Sequence, residues 1–316
     1  MVNFKNLQTL QTIKKLLLCL ILSLVISLVF FREFWVSLPV ILSPDWIFAQ
    51  QNASSWGVLA LCLIFLWLKR KDVWEEMLAS RQICGQKGVS AGNFLKQQNI
   101  RAFKSILLGI ILVLAAIIMP SFKAYLVFLV LLTSLGIFII FFGSGAKIPS
   151  FLIAIYGFAI TFPLAILRFA ENTYSQIAIT PAMGVMTSLG YPIQWQGQIV
   201  QFISYGGDSI SVAVTIACAG PATMGVFIAL FALMMLDMPL RYKKALWLFG
   251  FGVIGTWFQS FIRLMFLLLV GYHWGEGAMW TAHSWTTFIL FPLWYLLFVY
   301  IYFRQSGRFA RATAVS

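Results

Sequence analysis

Charge is scarce in this chain: Asp, Glu, Lys and Arg make up 10% of its 316 residues, and only 9 are acidic. A soluble globular domain carries about 25% charged residues, so the composition excludes a water-soluble fold. Histidine is scarcer still, with 2 in the whole chain, and the 4 cysteines, at positions 19, 62, 84 and 218, contain no CxxC pair. Neither a metal-ligand cluster nor a disulfide framework has support, and no cofactor or metal is implied. No internal repeat of paired, broken helices of the kind common in transporters stands out. What the chain does have is apolar: 61% of residues are hydrophobic and the mean hydropathy is +0.92. The expectation is an all-α polytopic membrane protein, one integral membrane domain over 1–316.

Continuous apolar runs bounded by charge, Pro or Gly, measured against the roughly 20 residues needed to span a bilayer, predict about eight transmembrane helices. They lie near Leu16 to Phe31, Ser54 to Leu68, Ser105 to Met119, Ala124 to Phe142, Ile148 to Leu167, Pro221 to Leu236, Ala245 to Val270 and Trp285 to Phe303. The first follows Lys14 and Lys15 as a signal peptide would, but no small-residue cleavage site follows Phe31, so it reads as an uncleaved span. The net charge of +13 raises the question of nucleic acid until it is sorted by loop. On eight spans Arg32, Lys123 and Arg168 fall on one side, Arg263 inside the seventh span, and every other Lys and Arg on the opposite side. The positive-inside rule then puts both termini in the cytoplasm, including a short basic tail at 304–316, and basicity marks topology in the cell membrane.

Residues 170–220 become an extracytoplasmic segment between spans five and six. Their alternation around Tyr205-Gly206-Gly207-Asp208 predicts a small hairpin, with an irregular loop as the alternative, and Tyr174 to Leu189 reads as an interfacial helix. The segment leads into Cys218-Ala219-Gly220-Pro221, where Pro marks the first turn of a helix. A thiol just before a helix N-terminus is exposed to unpaired N–H groups and the helix dipole, which favour thiolate. The plainer reading of Cys218 is a small buried hydrophobe, and that reading is kept for Cys19, Cys62 and Cys84.

Arg263 is the charge inside the seventh span. Such a side chain costs from about 3 to more than 10 kcal/mol in hydrocarbon, so it faces protein, water or an anionic partner. Snorkelling from about 12 Å below the external end, it reaches the interface. His273 and His283 fall in the loop from Gly271 to Ser284, on that external side, and each taken singly reads as a structural interface histidine. Together the topology brings Cys218, Arg263 and His283 to one leaflet. A thiol nucleophile, a guanidinium for an oxyanion and an imidazole acid/base are the parts of acyl transfer through a thioester.

In these residues the chain resembles the exosortase/archaeosortase superfamily of multi-spanning membrane cysteine transpeptidases. The resemblance rests on Cys218-Ala219-Gly220 against the family's Cys-Ser/Ala-Gly, on Arg263 against its Asn-x-x-Arg, and on His283 at the start of the last helix. Ser260 stands where the family has Asn. The resemblance implies catalytic Cys218, Arg263 and His283. It also implies exported protein substrates whose C-terminus carries a recognition motif, one transmembrane helix and a basic end. A lipid or other envelope acceptor would receive the product. Two alternatives stay open: a protease with water as acceptor, and a transporter or assembly component for exported polysaccharide with Arg263 lining an anionic path.

Overall fold

The computed structural model describes residues 4–48, 50–82, 91–119, 126–214 and 220–307. Among them the chain is helical apart from one small sheet. The helices are α1 (Phe4–Phe30), α2 (Arg32–Ile41), α3 (Pro44–Phe48), α4 (Gln50–Leu68), α5 (Arg70–Gln82), α6 (Ala91–Ile118), α7 (Leu126–Phe142), α8 (Lys147–Phe169), α9 (Glu171–Ser188), α10 (Pro221–Asp237) and α11 (Tyr242–Ser306). The strands are β1 (Ile193–Gln196), β2 (Ile199–Ile203) and β3 (Ser209–Ala213).

The expectation of eight spans and an all-α class is corrected here. Among the described residues three helices are long and apolar enough to cross a membrane: Thr9–Phe30, Lys147–Phe169 and Tyr242–Ser306. A fourth results if Asn52–Leu68 and Arg70–Leu78, bent by 61°, form one broken span. Phe103–Ile118, Leu126–Phe142 and Pro221–Asp237 are apolar but shorter. At 1.5 Å rise per residue, helices of this length fall short of a hydrocarbon core about 30 Å thick, which a count of apolar residues alone does not register. The loop expected between the last two spans is also absent, because 242–306 is helical throughout apart from Gly275, which sits at φ 85° and ψ 177°. The loop-by-loop sorting of charge was built on eight spans and loses that basis.

The described chain divides into two compact units, Met1–Ile47 with Leu59–Gly157, and Phe48–Val58 with Phe158–Ser316. In the first, α6 and α7 pack at closest approach where Gly109 meets Gly136. A Cβ on either would come within 2.5–2.7 Å of the other's carbonyl oxygen, the small-residue contact that lets membrane helices approach. Cys19, Val73, Met77, Ile137 and Phe142 form a core beside it. Cys19 and Cys62 are buried in this unit, as their apolar runs suggest.

The second unit is built around α11, which is two antiparallel limbs rather than one rod. Contacts pair Gly252 with Phe298, Thr256 with Trp294 and Arg263 with Thr286, closing in sequence toward the reversal at Gly275. A positive φ that glycine adopts without steric cost permits the reversal. Helix α10 packs against both limbs: Phe227 fills the space left by Gly252, and the hydroxyls of Tyr295 and Tyr302 donate to the carbonyls of Thr223 and Met238 at 2.8 and 2.7 Å. Gly225 sits against the carbonyl of Ala159 in α8.

Over the reversal end lies a cap made of α9 and the sheet. β1, β2 and β3 form an antiparallel meander with partners Phe202↔Ile193 and Phe202↔Ile210. The β2–β3 turn holds Gly207 at φ 91°. Alternation puts Val200, Phe202 and Ile210 on the buried face, against Ile179, Met183 and Met186 of α9 and Leu264, Leu267 and Leu268 of α11. At roughly 1.5–3 kcal/mol per buried aliphatic side chain, this face holds the cap on the helices.

Candidate functional site

Arg263 lies on the first limb of α11, five residues past the exposed Phe258 and just before the leucines that carry the cap. It is 2% exposed. A charge so buried is tolerated only with good hydrogen-bond geometry around it. Its Nε donates to Thr286 Oγ1 at 3.3 Å, and one Nη lies 3.3 Å from both the Nδ1 and the carbonyl oxygen of His283. The guanidinium also stands over the ring of Phe291, 5.8 Å from its centroid. These partners are neutral, so the guanidinium charge is held in place without being cancelled by them.

The contact fixes the chemistry of His283. A guanidinium only donates, so Nδ1 must accept, and the imidazole is neutral with its proton on Nε2. Thr286 and Thr287 hydroxyls donate back to the His283 carbonyl at 3.3 Å, and the ring sits edge-on to Trp280 at 5.5 Å. His273, the other histidine, is elsewhere: its Nε2 is 3.4 Å from Tyr191 Oη, and its ring lies among Tyr191, Tyr272 and Trp274.

Cys218 lies outside the described residues, as do Cys84, Lys123 and the basic tail beyond Gly307. Gly220, the last residue of Cys218-Ala219-Gly220, is described, and it is the N-cap of α10 with φ 89° and Pro221 following at the first helical position. A side chain at 220 would be strained by that φ and would run into the hydroxyl of Ser260. Ser260 is buried, donates to the carbonyl of Thr256 at 3.2 Å, and precedes Arg263 by three residues on the same side of the limb.

Two contributors were not singled out from the sequence. Thr286 holds Nε of Arg263. Gln259 is 8% exposed, and among the described residues neither its amide oxygen nor its nitrogen has a partner. It stands three residues after Thr256 and four before Arg263, on the polar stripe of an otherwise apolar limb. That stripe, Thr256-Gln259-Ser260-Arg263 at helical spacing, was the available signal. A groove of about 690 Å³ in this unit is lined by α9, from Asn172 to Pro181, and by Trp257, and does not include Arg263 or His283.

Helices long and apolar enough to cross a membrane, with a buried arginine hydrogen-bonded to a half-buried histidine, define the class as a helical membrane protein. Residues 46–300 match the family described as transmembrane exosortase (Exosortase_EpsH), and the chain belongs to that family. No curated protein and no solved structure matches it. Membership makes it a membrane protein with a sorting, transpeptidase-like role, and implies that exported proteins are what it acts on.

Proposed function

We propose that the protein cleaves C-terminal sorting signals of exported proteins through a thioester on Cys218 and passes them to an envelope or lipid acceptor, with Arg263 and His283 completing the site. The observation that carries this reading is the seat of Gly220 against Ser260, one turn from an arginine that is hydrogen-bonded to His283. Cys218 is two residues along the chain from Gly220, which bounds the Cα separation at about 7 Å.

In this mechanism the Cys218 sulfur bonds to the scissile carbonyl carbon as the carbonyl π pair moves onto oxygen. Arg263 turns its N–H from His283 Nδ1 to that oxyanion, which releases the Nδ1 lone pair to hold the thiol's proton. The imidazolium then gives the proton to the amide nitrogen as the C–N bond breaks, leaving a thioester. The acceptor's nucleophile attacks the thioester while His283 takes its proton, and the thiol is restored. Water in place of the acceptor gives proteolysis from the same geometry.

The basic residues Arg241, Lys243, Lys244 and Arg304 gather at the end of α11 away from the reversal, and the positive-inside rule assigns that end to the cytoplasm. The site and the cap then face outward, where exported substrates arrive. Lys14 and Lys15, preceding the apolar part of α1, put the N-terminus on the cytoplasmic side by the same rule. The substrate's single helix would be recognised within the bilayer by packing, and its basic end held inside.

The test is a Cys218→Ala chain, expressed in membranes at the normal level, with a co-expressed exported protein that ends in an apolar helix and a basic tail. The expected outcome is complete loss of processing, with a thioester adduct trapped on the unsubstituted chain. Normal processing by Cys218→Ala overturns the enzyme reading. A product carrying a lipid or glycan identifies transfer, and a free C-terminus identifies hydrolysis.

A further inference from the structure

β3 is an edge strand: the sheet order is β1-β2-β3, so among the described residues one of its sides has no neighbouring strand. In an antiparallel pair, residues alternate between those that face the partner with both backbone groups and those that face away. The bonds Ser204 N–H to Asp208 O and Val214 N–H to Gln198 O fix the phase. With the register Phe202↔Ile210 and Val200↔Val212, it follows that Ile210 and Val212 spend their backbone groups on β2. Ser209, Ser211 and Ala213 therefore turn their N–H and C=O groups to the open side, and all three are exposed. No described backbone group bonds to them from that side.

Proteins usually defend such an edge with Lys, Pro, a bulge or a covering segment. β3 reads Ser-Ile-Ser-Val-Ala, with none of these and with small side chains on its exposed face. Its buried face is anchored on the leucines of α11 that follow Arg263. Its chain continues from Val214 to Cys218 in four residues and to Gly220, which lies against Ser260, in six. The undefended edge thus lies a few residues upstream of Cys218 in the chain.

We propose that the free edge of β3 receives the extended stretch of the substrate that precedes its scissile bond, as a fourth strand of the sheet. This deepens the function proposed above and rests on it. The direction follows from the covalent order. Substrate residues before the scissile bond must arrive at Cys218 with their C-terminal end, and the C-terminal end of β3 is the end nearer Cys218, so the added strand is parallel to β3. Residues after the scissile bond are then free to enter the membrane. Main-chain hydrogen bonds to Ser209, Ser211 and Ala213 supply sequence-tolerant affinity, and every second substrate side chain shares the exposed face with Ser211.

The test uses the full-length chain carrying Cys218→Ala, which leaves substrate uncleaved, together with Ser211→Cys. Its partner is a host exported protein ending in an apolar helix and basic tail, with single cysteines placed at successive positions of the stretch before that helix. Mild oxidation is expected to give disulfides at every second position, and none from Gln194→Cys on the opposite edge. Equal crosslinking at all positions, crosslinking from Gln194→Cys alone, no substrate crosslink, or only a disulfide between two copies of this chain would overturn the proposal. In the chain with Cys218 intact, Ser211→Pro removes one outward N–H and leaves the β2 ladder whole. It is expected to slow processing about tenfold, the size of one lost hydrogen bond, at unchanged membrane level. An unslowed Ser211→Pro chain also overturns the proposal, and if that variant fails to accumulate the disulfide pattern decides. Processing by Cys218→Ala sinks the enzyme reading whatever the crosslinks show. A dead Cys218→Ala without the alternating pattern sinks only the docking edge.

Discussion

The two ends of the α10–α11 bundle bury polar groups on opposite terms. Away from the reversal, Phe227, Phe231, Phe249, Phe298 and Tyr302 interlock, and the polar tips of Tyr295, Tyr302 and Trp294 are hydrogen-bonded. Tyr302 and Tyr295 donate to backbone carbonyls, and Trp294 Nε1 donates to Thr256 at 3.0 Å. Near the reversal, the same helices bury Arg263 at 2% exposure beside Thr286 and His283, and Gln259 with neither amide atom partnered among the described residues. The first arrangement is what stability selects, since an unpaired buried polar group costs about 1–3 kcal/mol. The second forgoes part of that stability, and under the proposed function a buried, preorganised positive charge is what acyl transfer requires. On the proposed function, one bundle separates a structural end from a chemical end along its length.

That contrast is broken most directly by Arg263→Lys. A compact ammonium lacks the planar fork whose Nε and Nη reach Thr286 and His283 at once, so processing should fall by about 100-fold or more while the protein still accumulates. Processing assayed beside membrane level checks it, and near-normal turnover would show that a point charge is enough. Phe227→Ala should do the reverse. Deleting the side chain that fills the space over Gly252 should cost about 3–5 kcal/mol of stability, seen as a lower melting temperature in detergent, with normal turnover per folded molecule. A specific loss of turnover would mean that the two ends are not separable.

Smaller changes sharpen the boundary between them. Gln259→Leu replaces an unpartnered amide with an apolar group of similar size. Stability should hold or rise, while processing falls about tenfold if the amide serves the reacting groups. A chain that melts lower would place Gln259 with the structural end. Thr286→Val removes the acceptor of Arg263 Nε and nearly keeps the shape. Its expected effect is the smallest, a few-fold loss of turnover corresponding to about 1 kcal/mol, measured against unchanged melting.

The outcome for the sequence reading follows the physics of each feature. Arg263 and His283, which the structure sets 3.3 Å apart, stood out because a charge in an apolar run and a histidine among interface tryptophans contradict their surroundings. The β2–β3 hairpin was legible from alternation around Gly206-Gly207. The number of spans was not, because an apolar run does not register that a helix of 16 or 17 residues falls short of the hydrocarbon core, or that the chain breaks by 61° after Leu68. Gln259 and Thr286 were missed because a single amide or hydroxyl in a helix is ordinary until its partners are known.

By itself, the sequence determined the solvent and the residues of the candidate site: low charge and long apolar runs require a membrane, and a Cys-Ala-Gly run, an arginine in an apolar run and a histidine among tryptophans are properties of residue type and spacing. Only the tertiary structure decided that the last 65-residue helix doubles back at Gly275, setting Arg263 3.3 Å from His283, and that Gly220 seats against Ser260. The physical reason is range. Composition and periodicity report on neighbours within a few turns, whereas a hydrogen bond across 20 residues depends on one positive φ and on which side chains fill the space between two limbs.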